Sequence, residues 1–282
     1  MKTLGDILKL SIHYLKEKND SHARAHAEHL MSHVLKMPRL DLYLQFDRPL
    51  QDEELSSYRS LLKRKAQGEP LEYILGEMPF YDCILNITPS VLIPRPETEI
   101  LIDKVCSRLK DKNLVGLHAW DLCCGSGCLG LSLKKKFPDL FVTLSDLSLE
   151  ALSVAQKNSE RNGLEVDFLQ GDLLAPFKGR LADLVLCNPP YISQKDFNDL
   201  DPSVRLFEPK LALLGGESGH LFYERLACEL PLFLNSGALV CFEIGYGQGE
   251  VVSSLFSASH WRAKSLEKDW AGHDRFFFLE FQ

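Results

Sequence analysis

Asp121-Leu122-Cys123-Cys124-Gly125-Ser126-Gly127-Cys128-Leu129-Gly130 closes an apolar run, LHAWDL at 117–122, with three glycines in the spacing G-x-G-x-x-G. A strand that ends in such a loop and continues as a helix lets a ligand approach backbone N–H groups without obstruction from a Cβ. The spacing fits a dinucleotide-type fingerprint. A tight strand-to-helix turn with no ligand meets it too, so the neighbouring segments decide. Downstream, FVTLSD at 141–146, VDFLQGD at 166–172, ADLVLCN at 182–188 and ALVCFEIG at 238–245 are short apolar runs separated by helical stretches. That alternation predicts an open, mostly parallel α/β sheet. AKSLEKDW at 263–270 and DRFFFLEF at 274–281 follow each other with no helix between, which predicts an antiparallel C-terminal edge.

Upstream the character changes. Residues 3–66 carry apolar positions at spacings of three and four, predicting helices over LGDILKLSIHYLKEK, HARAHAEHLMSHVL and DEELSSYRSLLKRKA, with Pro38 and Gly68-Glu69-Pro70 as punctuation. Residues 71–94 hold short alternating runs rich in Ile, Phe and Tyr, which predict a β-hairpin; helical periodicity returns over 97–112. The expected organisation is a small helical domain at 1–70, a hairpin linker at 71–96 and an α/β domain at 97–282. His22, His26, His29 and His33 share one helical face. A metal stripe would need that face preorganised with carboxylates or cysteines nearby; the expected reading is an ordinary solvent-facing or partner-facing helix.

Composition bounds the function. The 282 residues are 45% hydrophobic and 25% charged, an ordinary globular balance. The formal charge is −7, from 32 basic and 39 acidic residues. An acidic chain is a poor candidate for gripping long stretches of nucleic acid, so no stable nucleic acid binding is expected. No apolar run reaches the ~18–20 residues that span a bilayer, and Asp6, Lys9 and His13 interrupt the N-terminal stretch. A cytoplasmic setting without membrane contact is expected. The eight cysteines sit mostly among Leu, Val and Phe and form no CxxC pair, so they read as small buried hydrophobes rather than metal ligands.

The carboxyl ends of successive strands carry the chemistry. Asp146 lies nineteen residues after Gly127, where a carboxylate accepts hydrogen bonds from the ribose hydroxyls of a nucleoside. Asp172-Leu173 follows the next strand; the acid suits an adenine amino group and the leucine its ring. In a parallel sheet these ends face one crevice. The fourth strand runs straight into Asn188-Pro189-Pro190-Tyr191. Two prolines fix φ and remove two N–H donors, leaving carbonyls as acceptors. The Asn188 oxygen adds another acceptor, and Tyr191 a flat apolar face with a polar tip. This is a site for a planar NH₂ group, held by Asn188 Oδ1 and the Pro189 carbonyl.

The combination resembles the S-adenosyl-L-methionine-dependent methyltransferases that act on exocyclic or amide nitrogens. Leu92-Ile93-Pro94-Arg95-Pro96-Glu97-Thr98-Glu99, together with Gly68-Glu69-Pro70-Leu71-Glu72-Tyr73-Ile74, Phe207-Glu208-Pro209, Ala212-Leu213, Glu243-Ile244-Gly245 and Gln248-Gly249, is similar to the release factor glutamine methyltransferases (the PrmC/HemK family). The resemblance covers nearly the whole chain. It implies a Rossmann-like methyltransferase sheet in the α/β domain. The implied substrate is the glutamine of the Gly-Gly-Gln motif in class I peptide chain release factors. Cys123, Cys124, Gly125, Ser126, Gly127, Asp146, Asp172, Leu173 and Asn188 would contact the cofactor, and Asn188, Pro189, Pro190 and Tyr191 the glutamine amide. The family pattern has Gly-Thr where this chain has Cys123-Cys124, so the backbone at Cys123 is expected slightly farther from the cofactor. The aromatic residue of some members is absent at Leu173.

No general base is expected, since the proton can leave after transfer. Acceptors on both N–H groups stabilise the charge that develops as the methyl arrives, and alignment of the reactants supplies ~7–11 kcal/mol. An adenine amino methyltransferase acting on DNA or RNA would use the same NPPY chemistry; the acidic charge and the lack of a basic insertion stand against it. A nicotinamide-dependent oxidoreductase would leave NPPY without a task. A non-catalytic binding module would bind cofactor without turnover. The helical domain is expected to dock the protein substrate, because one glutamine offers far less than the ~800 Å² per side that a stable partner needs.

Overall fold

The computed structural model describes residues 2–282, which fall into two compact units. The first runs to Gly76 and includes Pro202–Phe207; the second comprises Glu77–Asp201 and Glu208–Gln282.

The first unit is helical: α1 (Leu4–Glu17), α2 (Ala23–Leu35), α3 (Arg39–Leu44), α4 (Asp52–Ala66) and α5 (Leu71–Leu75). Thr3 and Asp6 form a reciprocal capping box at α1, satisfying two backbone donors that a helix start leaves open. Leu4, Leu8, Leu15, Ala27, Leu30 and Tyr58 bury the faces that the spacing predicts. His22 caps α2 rather than lying in it, His26 pairs with Asp20 at 2.7 Å and His29 meets Arg39 at 3.1 Å. Among the described residues no group of His, Cys, Asp or Glu is arranged to hold a metal ion.

The predicted hairpin is shorter than 71–94. Leu71–Leu75 is a helical turn that ends at Gly76 with φ +77°, and only β1 (Glu77–Phe80) and β2 (Cys83–Asn86) pair. The boundary between units therefore falls at 76/77, and the hairpin goes with the second unit. The apolar residues of 71–75 are too few to show a period, and the glycine that stops the helix reads equally well as a strand break.

In the second unit α6 (Pro96–Leu109) precedes the main sheet. Pro96 opens the helix, where a missing N–H costs nothing. The sheet contains β3 (His118–Leu122), β4 (Phe141–Asp146), β5 (Asp167–Gln170), β6 (Ala182–Cys187), β7 (Leu234–Glu243), β8 (Trp261–Lys268) and β9 (Asp274–Phe281), in the order β5-β4-β3-β6-β7-β9-β8. The first five strands run parallel, and β9 pairs antiparallel with both β7 and β8. That is the predicted mostly parallel sheet with an antiparallel edge. Helices α7 (Cys128–Lys136) and α8 (Leu149–Asn162) connect the early strands. Four more follow: α9 (Gln194–Phe197), α10 (Pro202–Phe207, counted with the first unit), α11 (Leu221–Glu229) and α12 (Gly249–Leu255). Trp120 stacks on Phe177 with centroids 4.0 Å apart, in a core that includes Val185, Val240, Phe242 and Phe277. β3 lies between β4, reached through α7, and β6, which arrives from the other side. The order reverses there, and ligands of open α/β sheets bind outside the carboxyl ends of strands at that place.

Candidate active site

One cavity opens at this reversal. Its wall includes Cys123, Cys124, Gly125 and Ser126 after β3, Asp146 after β4, Asp172 and Leu173 after β5, and Asn188 and Pro190 after β6. Gly127, Pro189 and Tyr191 are not part of that wall.

The loop after β3 is anchored by the acid at the end of β4. Asp146 Oδ2 accepts from Gly125 N and Oδ1 from Ser148 N, both at 2.9 Å. Burial pushes its carboxyl up, against those backbone donors. The Gly125 amide is thus spent on Asp146, and the Gly127 amide on the Cys124 carbonyl at 2.8 Å. The two glycines do different work. Gly125 has φ +54° and open space where a Cβ would stand, so it keeps the wall low. Gly127 has φ +80°, and a Cβ there would lie 2.7 Å from Leu144, 3.1 Å from Leu131 and 3.3 Å from Ala155, all buried. Gly127→Ala is therefore expected to destabilise the protein by about 2–3 kcal/mol, from left-handed strain plus overpacking. Thermal unfolding measures it; an unchanged midpoint would contradict the packing role.

Cys123 holds φ +56°, a region where glycine is at no disadvantage and other residues lose ~1–2 kcal/mol. Cys124 is buried and Cys128 half-buried, and desolvation pushes both thiols well above their usual range, which makes them poor nucleophiles. Asp172 Oδ1 accepts from Arg225 at 3.0 Å, and Leu173 is buried with φ +49°.

After β6, Asn188 is half-buried while Pro189 and Pro190 are buried. Gln248 fixes the loop's exit: its Nε2 donates to the Tyr191 carbonyl at 2.8 Å, and its Oε1 accepts from Gly245 N at 3.0 Å. Tyr191 stays a neutral phenol, raised by burial and by the Glu243 carboxylate. Arg95 pairs with the buried Glu208, whose other oxygen accepts from Ile93 N at 3.1 Å. The IPRP segment is thereby tied to Phe207-Glu208-Pro209, and Pro94, Thr98, Pro209 and Ala212 complete the wall.

Three residues gain roles here that the sequence did not assign. Asp121 is buried at the cavity; Oδ2 accepts from Gly130 N at 2.8 Å and Oδ1 has no partner among the described residues. Burial pushes its carboxyl up to about 7. Glu243 ends β7, buried and raised to about 7 for the same reason. Thr98 donates to Glu243 at 2.7 Å. An acid closing an otherwise apolar strand, as in HAWDL and ALVCFE, was the available signal.

The comparisons agree with this geometry. Residues 6–76 match the family description "PrmC N-terminal domain" and residues 97–212 match "Methyltransferase small domain". A methyltransferase from Pyrococcus furiosus shares the fold, with a TM-score of 0.53 and 19% identity over 80% of this chain and 98% of that one. The fold is that of a Rossmann-like methyltransferase. A release factor glutamine methyltransferase of Chlamydia trachomatis serovar L2 is 42% identical over 98% of this chain and 93% of its own length. One from Geobacter sulfurreducens is 38% identical over 97% and 95%. The chain belongs to the release factor glutamine methyltransferase family.

Proposed function

We propose that the protein transfers a methyl group from S-adenosyl-L-methionine to the side-chain amide nitrogen of the glutamine in the Gly-Gly-Gln motif of class I peptide chain release factors. The observation that carries the reading is Asn188-Pro189-Pro190-Tyr191 directly after β6, with Asn188 and Pro190 on the wall of a cavity at the sheet's reversal.

The residues present fit the cofactor. It is a cation at both its ammonium and its sulfonium, and Asp121 Oδ1 is a buried carboxylate oxygen with no partner. Asp146, on the cavity wall, would accept from the ribose hydroxyls. Asp172 and Leu173 lie where the adenine would reach, with Arg225 already on one oxygen of Asp172. The bound sulfonium supplies an electrophilic methyl. Asn188 Oδ1 and the Pro189 carbonyl accept the two amide hydrogens, which aims the nitrogen and stabilises its developing positive charge. Tyr191 holds the flat amide, and the apolar wall excludes water. Pro190 stiffens the turn.

The test is methyl transfer from labelled S-adenosyl-L-methionine to purified release factor, beside a release factor whose motif glutamine is changed to alanine. Label on the first alone supports the reading; label on nucleic acid instead would replace it with adenine methylation.

The helical unit, the expected 1–70 domain, would dock the release factor. Leu40 and Leu44 on α3 are 78% and 84% exposed, unusual for leucine and apt for a partner. Changing both to glutamate is expected to raise the KM for release factor more than tenfold, with kcat and cofactor affinity unchanged. Unaltered KM would remove α3 from the docking surface. No helix among the described residues is long and apolar enough to cross a membrane, and a cytoplasmic place beside the translation machinery suits the proposed substrate.

A further inference from the structure

Glu243 is 1% exposed at the end of β7, and methyl transfer as proposed gives it no task. A carboxylate buried there costs several kcal/mol unless donors surround it. Thr98 is one, Oγ1 donating to Oε2 at 2.7 Å, and Asn188 stands next to Glu243, because the β6–β7 register pairs Cys187 with Phe242.

That neighbour has a directional consequence. An asparagine amide presents an oxygen on one side and NH₂ on the other, and only its partners decide which way it faces. An ionised carboxylate accepts and cannot donate. Asn188 must therefore turn Nδ2 toward Glu243, which leaves Oδ1 for the cavity.

We propose that Glu243, steadied by Thr98, is a positioning residue for methyl transfer: it locks the Asn188 amide in the one orientation that accepts a hydrogen bond from the substrate nitrogen. The inference rests on the reading that Asn188 receives the glutamine amide. The buried charge also polarises Asn188, strengthening its oxygen as an acceptor where positive charge develops.

The groups facing Glu243 set when it is ionised. Burial pushes it up to about 7; Thr98, Arg275 on β9 and Asn188 draw it down, and Glu97 on α6 raises it. Tyr191, Tyr223 and Cys128 also face it, and each is held neutral by its own burial. A protonated Glu243 could donate to Asn188 Oδ1 and release the lock, so the rate falls as pH drops through about 7.

Single-turnover rates at saturating S-adenosyl-L-methionine and release factor, from pH 6 to 9, test this. Glu243→Gln is expected to lose at least about 30-fold at pH 8, with KM for release factor and cofactor Kd within twofold, and to lose the acid limb. Thr98→Val keeps the limb but moves it to higher pH, since the carboxylate has lost a donor; Thr98→Ser restores it. A limb that survives Glu243→Gln, or a Thr98→Val profile superimposable on the unaltered enzyme, overturns the proposal. The hydrogen bond is read without any substrate by NMR of the Asn188 side-chain amide. Its protons should titrate with Glu243 in the unaltered protein and not in Glu243→Gln, and no titration also overturns the proposal. If the unaltered enzyme never labels the release factor, the proposed function fails, while the NMR titration still decides the placement.

Discussion

Asn188→Ala is expected to lower single-turnover methyl transfer by about 10³-fold while cofactor affinity changes by less than about threefold. The magnitude follows from what removing one preorganised group aimed at transition-state charge typically costs, ~2.7–4 kcal/mol. The division between rate and binding follows from placement. Asn188 is one of many residues on the cavity wall, and the loop after β3 together with Asp146 and Asp121 frames the rest of it. Glu243, next to Asn188 in the β6–β7 register, is engaged by Thr98 and is not part of the cavity wall, so it does not replace the lost acceptor. Pro189 and Pro190 stay fixed by their rings and by the Gln248 clamp on Tyr191. Isothermal titration with S-adenosyl-L-methionine beside rapid-quench kinetics separates the two quantities. A parallel loss of affinity and rate would show that Asn188 serves the cofactor and not the amide.

The parallel sheet and its antiparallel edge were legible because each strand is a short apolar run and the runs alternate with helical spacing. The proposed acceptors after β6 could be named from the sequence because NPPY is contiguous. What escaped depended on contacts distant in sequence. Thr98 and Glu243 are 145 residues apart, and Glu208 and Arg95 are 113 apart; no local pattern announces that they meet. The glycine spacing around 125–130 was visible, but not which glycine faces the cavity. Gly127 is required by Leu144, a residue of the next strand. In the sequence Asp121 is only one residue of the strand end that leads into the loop. Its weight comes from the burial of the strand around it. The helical turn at Leu71–Leu75 was read as strand because five residues cannot display a period of 3.6.

The second large effect is on stability, and its direction is unusual. Asp121 and Glu243 are both raised by burial to about 7, whereas in the unfolded chain such carboxyls titrate near 4. Between those values the folded cofactor-free protein binds more protons than the unfolded one, so stability falls as pH rises. Their contribution is fully present below about pH 4 and is lost as pH climbs through about 7. Across pH 5 to 8 the pair is expected to remove about 4 kcal/mol, on the order of 10 °C in Tm. Carboxyls held low by their donors act in the opposite sense. Asp6 is held by Thr3; Glu28 and Glu267 feel burial first but are overcome by their arginine, lysine and tyrosine partners. Those groups lose stability only as pH falls below about 4.5, outside this window. The His29 imidazole, lowered by burial and by Arg39, also opposes the trend, weakened by its partial exposure. The double variant Asp121→Asn, Glu243→Gln isolates the effect, since every other group is common to both proteins. Thermal unfolding of the cofactor-free pair should show Tm dropping toward pH 8 in the unaltered enzyme and a clearly shallower drop in the variant, where Asp146, also raised by burial, remains. Equal slopes would mean that water reaches the two carboxylates and that they are not buried as charges. Because the cofactor is cationic, saturating it should flatten the slope of the unaltered enzyme as well: an ionised Asp121 then gains a partner for its free oxygen, and the cost of its charge is offset by binding.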